Sequence, residues 1–206
     1  EHDRAFEINV RRLQDLPEKL SILEDLRRLA KLTDQWHTLA DLLSEFSYTG
    51  SNEVSNEVRG ELSRALAVIA EVELQDQEHA RNVWQQVIDA EGDEIETLDQ
   101  VCRLSKHLET WDLLISTLDR SVELVDHDEK IIRLHRLAGL WNDRMENADE
   151  AIEVYQKILT LDAQDTEAEQ KVEALLRETQ RYQDLSEYYM ARIELTLSTI
   201  DGENSA

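Results

Sequence analysis

The sequence predicts an all-α fold, an α-solenoid of antiparallel helix pairs with about eleven helices, and three observations predict it. The 206 residues include only 5 Gly and 1 Pro, too few turn formers for a hairpin-rich sheet. Leu, Glu, Ala, Asp, Arg and Gln dominate, a mixture that favours helices. Apolar residues recur at helical spacing along most of the chain, and the pattern repeats. Asn147–Gln164 reads as an amphipathic helix with a turn at each end; 71 residues earlier, Asp76–Asp93 reads the same way. Ala151 then falls on Ala80, Tyr155 on Trp84, Ile158 on Val87 and Leu159 on Ile88. A small residue, an aromatic four later and two aliphatics describe a helix whose one face lies close against another helix.

Taken in order, Glu1–Asp15 reads as a helix through Ala5, Ile8, Val10 and Leu13. Pro17 is expected to start the next, where its missing N–H costs nothing. That helix carries Leu20, Leu23, Leu26, Leu29 and Ala30 and ends near Thr33. Asp34-Gln35-Trp36 opens a third, with Leu39, Leu42, Leu43 and Phe46 on one face, and Tyr48–Asn56 is the clear loop. A helix from about Val58 to Leu74 follows, then one capped by Asp76 or Gln77. Asp93–Glu96 has the form of a capping box ahead of Leu98, Val101, Leu104 and Leu108. Glu109-Thr110-Trp111 opens the next helix, and Asp126-His127-Asp128 precedes one with Ile131, Leu134, Leu137, Ala138 and Trp141. After Asn147–Gln164 come Thr166–Leu175 and the long Tyr182–Ile200, expected to close the array, and Asp201–Ala206 reads as a polar tail.

Asp34-Gln35-Trp36, Glu109-Thr110-Trp111 and Gln180-Arg181-Tyr182 align, as do Leu29, Leu104 and Leu175. The period of about 71–75 residues holds four helices, so the unit is a helix pair of about 36, a solenoid period. Residues 1–200 are read as one array: a partial repeat at 1–16, then 17–52, 53–92, 93–126, 127–163 and 164–200. Ala5 aligns with Ala80, so the first helix is the second of a pair, and a longer parent with more repeats upstream is expected. No single pair covers its own apolar stripe, so stability grows as copies stack.

The series Leu66-Ala67…Ala80…Trp84…Val87…Gly92 and Leu137-Ala138…Trp141…Ala151…Tyr155…Ile158…Leu161-Asp162-Ala163, with the half-unit Leu104-Ser105…Leu108…Trp111, resembles the tetratricopeptide repeat (TPR) family over Arg4 to about Thr196. Ala163 stands where that family has Pro. The Leu-Ala pairs lie one residue further from the next Ala than in the family pattern, and the Trp36, Trp111 and Tyr182 units lack the small Ala. The half-a-tetratricopeptide repeat family is a near alternative. The resemblance implies a right-handed superhelix whose concave groove binds a peptide of a partner protein, with no catalysis.

The formal net charge is −24 with 33% charged and 41% hydrophobic residues. This is the composition of a folded acidic protein, and it disfavours nucleic acid and anionic membranes as partners. No apolar run reaches the roughly 20 residues of a membrane span. The six His (His2, His37, His79, His107, His127, His135) form no metal or catalytic motif, and carboxylate pairs are too common to single any out. No cofactor or metal is expected. Cys102, among Leu98, Val101 and Leu104, reads as a small packing residue, and the recurring Trp positions read as packing rather than a ligand cage.

The remaining pattern is electrostatic. On the TPR register, first helices line the groove and carry Arg27, Arg28 and Lys31, then Arg64, then Arg103 and Lys106, then His135 and Arg136, then Arg177. Second helices carry Glu45, Glu78, Asp89, Asp119, Glu146, Asp149, Glu150 and Glu153. A basic groove in an acidic body suits an acidic segment or a free carboxyl terminus, paired bidentately by Arg. The competing reading is that these cations bridge neighbouring carboxylates and hold the stack together. A spacer that self-associates, or a regulatory arm of an enzyme outside this sequence, are the other roles the sequence allows.

Overall fold

The protein, seen in a computed structural model, is described at residues 1–47 and 54–203. Eleven helices and no strand occur among these residues. They are α1 (His2–Asp15), α2 (Ser21–Thr33), α3 (Trp36–Phe46), α4 (Asn56–Val72), α5 (Gln77–Glu91), α6 (Ile95–His107), α7 (Trp111–Val122), α8 (His127–Asp143), α9 (Ala148–Leu161), α10 (Thr166–Glu178) and α11 (Tyr182–Glu203). The chain divides into two compact units, Glu1–Leu124 and Val125–Ala206.

One turn, used five times, makes the hairpins. Asp34, Gln75, Glu109, Glu146 and Gln180 all have φ between 51° and 58°. Each lies between the first and second helix of a pair, at intervals of about 34–41 residues. The N–H after each reaches back over the turn: Gln35 to the Ala30 carbonyl, Asp76 to Ala70, Thr110 to Ser105, Asn147 to Trp141 and Arg181 to Leu176. This left-handed C-terminal cap satisfies carbonyls that the helix end leaves open and reverses the chain. Glycine is the usual residue there, and none of the five is glycine. Hairpins α2/α3, α4/α5, α6/α7, α8/α9 and α10/α11 result, each packed on its sequence neighbours inside its unit.

The connections between hairpins differ. Pro17 does not open α2. It occupies the second position of a turn closed by the Lys19 N–H on the Leu16 carbonyl, where its fixed φ fits, and α2 begins at Ser21. Gly92, φ 97°, ends α5 in a conformation that disfavours other residues. Asp93–Glu96 forms no capping box: Glu94 is the N-cap of α6 but its side chain caps nothing. Its carboxylate accepts from Thr97 Oγ1 and pairs with Arg64, while Asp93 pairs with Arg120. The ion pairs out-compete the local motif. Side-chain caps do form at Ser55, Asp76, Asp126, Asn147 and Asp165. Of the expected Tyr48–Asn56 loop, residues 48–53 lie outside the described residues. Of the expected tail, 201–203 continue α11 and 204–206 lie outside.

The core follows the repeat. Ala80 and Ala151 are fully buried, with Trp84 and Tyr155 buried one turn on, as close helix packing requires. Cys102, the chain's one cysteine, is buried. Trp36, Trp111 and Trp141 are only half-buried. The first helices of unit one share a register of buried residues: Ile22, Leu62 and Thr97; Leu26, Leu66 and Val101; Ala30, Ala70 and Ser105. Side-chain bonds link these helices or the residues just ahead of them. Ser55, the α4 cap, bonds to Glu18 just ahead of α2, and Arg103 of α6 bonds Glu71 of α4.

α11 exposes several apolar side chains over residues 182–194. Leu185 is buried against the stack, but Tyr182, Tyr189, Met190 and Ile193 stand exposed on a stripe of helical spacing. In the repeat alignment Tyr189 corresponds to Leu43 and Leu118, both fully buried.

Candidate functional site

The common register shows where each expected groove residue lies. In unit one, Arg28 and Arg103 are equivalent, as are Lys31 and Lys106, and all four are exposed in the last two turns of α2 and α6. Cations there complement the negative end of the helix dipole. Lys31 and Lys106 pair with no carboxylate among the described residues. Arg28 touches Asp25 at 3.4 Å, both well exposed. Arg103 is held by both Glu71 oxygens at 2.5 and 2.6 Å and by Gln100. The hydrogen bonds that Arg103 donates to Glu71 raise its guanidinium above the ordinary pKa, against partial burial. Arg27 is half-buried beside Leu26.

Arg64 lies off that row. In the register it matches Asp99, a turn nearer the helix start, and it is turned to Glu91, at the end of α5, and Glu94, ahead of α6. It clasps one hairpin to the next. Burial pulls its guanidinium down, and the bonds to Glu91 and Glu94 more than restore it.

In unit two, His135 Nε2 lies 2.7 Å from Asp165 Oδ2, and the ring meets Tyr155 edge-on with centroids 6.0 Å apart. Asp165 also caps α10 by accepting from the Ala168 N–H. Burial pushes this carboxyl up, but the Ala168 N–H, the His135 ring and the Glu167 N–H outweigh it and hold it below its ordinary range. Arg177 bonds Glu173 and the Tyr189 hydroxyl. Arg136 is exposed, without a carboxylate partner among the described residues. The three expected groove residues of this unit, His135, Arg136 and Arg177, share no row. A cleft of about 450 Å³ lies nearby, lined in part by Asp149, Glu153 and Asp184. Arg181, bonded to Asp149 and Asp184, supplies the opposite charge from within.

The predicted cations therefore divide. Arg64, Arg103, His135 and Arg177 have carboxylate partners in their own unit, whereas Lys31 and Lys106 point an uncommitted charge from matching places. The α4 residue matching Lys31 and Lys106 is Glu71, and beside it α4 exposes two valines. α4 has no basic residue in its last turn; where α2 and α6 have Arg28 and Arg103 it has Val68, 43% exposed, and a turn later Val72, 61% exposed. The signal was present, since Val68 and Val72 stand off the stripe made by Leu62, Leu66 and Ile69. Leu32 of α2, equivalent to Val72, is 57% exposed.

Helix hairpins of this length, closed by one recurrent turn and stacked in one register with alanine at the tightest contact, make an α-solenoid. The repeat fold is TPR-like.

No protein-family model matches the chain, and no curated protein matches it. Among solved structures it is similar to YrrB, described as a TPR protein with an unusual peptide-binding site, at 16% identity over 84% of each chain with a TM-score of 0.42. It is similar to MamA 41-end from Desulfovibrio magneticus RS-1, at 16% identity over 96% of this chain and 97% of that one, TM-score 0.42. TTC0263, a thermophilic TPR protein in Thermus thermophilus, matches at 18% identity over 85% of this chain and 90% of that one, TM-score 0.36.

Proposed function

We propose that this chain is a protein-interaction scaffold that binds a peptide segment of a partner on the first-helix face of its hairpins and performs no chemistry itself. The observation that supports this reading is the matched pair of cationic rows, Arg28 with Lys31 and Arg103 with Lys106, in a chain of net charge −24. Carboxylate oxygens of an acidic segment or a chain terminus fit such rows, and Lys and Arg donors meet them with charge-assisted hydrogen bonds. The acidic remainder of the surface repels the same ligand elsewhere, which favours one docking place. The helix-pair repeats, counted as residues 17–52, 53–92 and 93–126, supply the spacing of the rows.

The test is charge reversal on exposed side chains. Lys31→Glu with Lys106→Glu is expected to weaken binding of a fluorescein-labelled acidic peptide by about tenfold or more at low salt, with an unchanged far-ultraviolet circular dichroism melt. Equal binding by the variant and the parent rejects this face.

A second reading is favoured by one observation, the exposed stripe of Tyr182, Tyr189, Met190 and Ile193 on α11. An apolar stripe on a stacking face is a self-association surface. Sedimentation velocity over a hundredfold range of concentration tests it: the parent is expected to shift to larger species, and Met190→Glu with Ile193→Glu to stay put. A parent that sediments identically at all concentrations excludes it.

A further inference from the structure

We propose that the cleft between α9 and α11 receives an arginine side chain from a basic segment of a partner protein. The site lies within unit two and is independent of the first-helix face.

The chain itself shows how a guanidinium sits beside a second helix. Six residues past the left-handed turn residue, α3, α7 and α9 hold Ala40, Ile115 and Ile152, all buried. α5 holds Arg81 there, a cation at a place that is otherwise apolar. Only 13% of its side chain is exposed. The guanidinium lies over the start of α7, where Nη1 donates to Thr110 Oγ1 at 3.4 Å. Nη2 donates to Asn82 Oδ1 at 2.8 Å, and Glu78 stands 4.0 Å away.

The same surroundings recur in unit two without that occupant. On the 71-residue register Glu78, Asn82 and Thr110 match Asp149, Glu153 and Arg181. These three line the cleft of about 450 Å³ together with Gln156, Leu176 and Asp184, a size within the roughly 300–1,000 Å³ of ligand clefts. Ile152 stands at the place of Arg81, ends short of it, and forms part of the wall. The charge is also stronger than in unit one. Glu153 replaces the neutral Asn82, and Asp184 replaces Leu113. Three carboxylates face the one guanidinium of Arg181, so the lining keeps a surplus of negative charge. Arg181 enters from α11, bonds one oxygen each of Asp149 and Asp184, and leaves Glu153 without a cation among the described residues.

The lining selects the kind of cation. No group of three side chains suited to a metal ion occurs among the described residues. Ile152 and Leu176 offer aliphatic wall beside the carboxylates, which suits a long side chain with an apolar stem and a charged head. Asp149 and Glu153 lie on α9 and Asp184 on α11. A planar fork of several donors reaches carboxylates on both helices at once, as Arg does and the point charge of Lys does not. The net charge of −24 draws a basic segment to the surface, and the cleft decides which of its residues docks.

The test is an amide-shift titration of the isotope-labelled full chain with an acetylated Gly-Ser-Arg-Ser-Gly amide. The same peptide with Lys, or with citrulline, in place of Arg serves for comparison. The arginine peptide is expected to shift amides of residues 149–156 and 181–184 saturably. The lysine peptide should bind about threefold more weakly and the citrulline peptide should leave these amides unmoved. Ile152→Arg, which supplies the occupant seen in unit one, is expected to weaken arginine-peptide binding tenfold or more. Ile152 is buried, so the exposed Glu153→Gln is the second variant, expected to weaken binding about threefold with an unchanged circular dichroism melt. Equal binding of the arginine peptide and either comparison peptide overturns the proposal, as does the absence of any shift. Shifts spread over the acidic faces of both units, and unaltered by either variant, overturn it too, because net charge alone then accounts for the attraction.

Discussion

Asp165 shows how much one side chain carries in this fold. One carboxylate oxygen caps α10 and the other holds His135 of α8, so the residue orders a helix start and ties two hairpins together. Asn at this place keeps the cap and loses the charge; Ala loses both. Asp165→Ala is expected to cost about 1 kcal/mol more than Asp165→Asn, within the roughly 0.5–2 kcal/mol of an N-cap, measured by urea unfolding. The pH dependence has a definite sign. The folded carboxyl sits below its ordinary pKa, so its stabilisation is present above the unfolded value of about 3.9 and disappears as pH falls through the folded value. The stability difference between parent and Asp165→Asn should therefore shrink as pH falls below about 5; a difference that grows with acid contradicts the assignment.

The five left-handed residues make a second argument at this scale. A non-glycine residue in that conformation is strained by about 1–2 kcal/mol, of which glycine gives back part in backbone entropy. Glu109, exposed at the α6/α7 turn, is expected to gain about 0.5–1 kcal/mol on change to Gly, read as a higher urea midpoint at unchanged slope. The left-handed conformation of these turns is not legible in the sequence, because its usual cue is a glycine and the chain has only 5. Pairing Asp34, Glu109 and Gln180 by sequence put the turns in the right places, yet the conformation came from backbone bonds that any residue can make.

At the scale of helices, periodicity located every element and misjudged some of their ends. Asp93–Glu96 matches a capping motif in sequence, but Arg64, 30 residues from Glu94, and Arg120, 27 residues from Asp93, come close enough in space to take its carboxylates. Local spacing holds no record of partners that arrive from another hairpin. The same limit applied to the candidate site. Arg64 and Arg103 looked like neighbours on one face, whereas the buried register sets them a turn apart. The competing reading of the cations as braces describes Arg103, whose partner Glu71 lies on the adjacent first helix. Half of the Arg103 side chain is solvated, 51%, so water screens the pair. A double-mutant cycle with Arg103→Ala and Glu71→Ala is expected to give a coupling of about 0.2–1 kcal/mol. A value several-fold larger would make this brace, rather than apolar stacking, the main link between those hairpins.

The connectivity of packing sets the behaviour of a whole unit. In Glu1–Leu124 each helix packs chiefly on its neighbours in sequence, α1 on α2, α3 on α4, α4 on α5 and α5 on α6. Stability in such a stack is a sum of local terms and nearest-neighbour interfaces, so opening spreads only as far as the interfaces it breaks. Leu13 is fully buried at the end of α1. Leu13→Ala is expected to cost about 2–5 kcal/mol, and the loss should be unevenly distributed. Amide exchange should speed strongly in α1, less in α2 and α3, and scarcely in α6 and α7, because each interface crossed restores protection. A globule with one shared core would instead lose protection in all helices by the same factor, since global unfolding is then its only way to open. Exchange rates that rise equally in α1 and α7 would replace the picture of additive hairpins with a single cooperative body, and the first-helix face would then respond to damage anywhere in the unit.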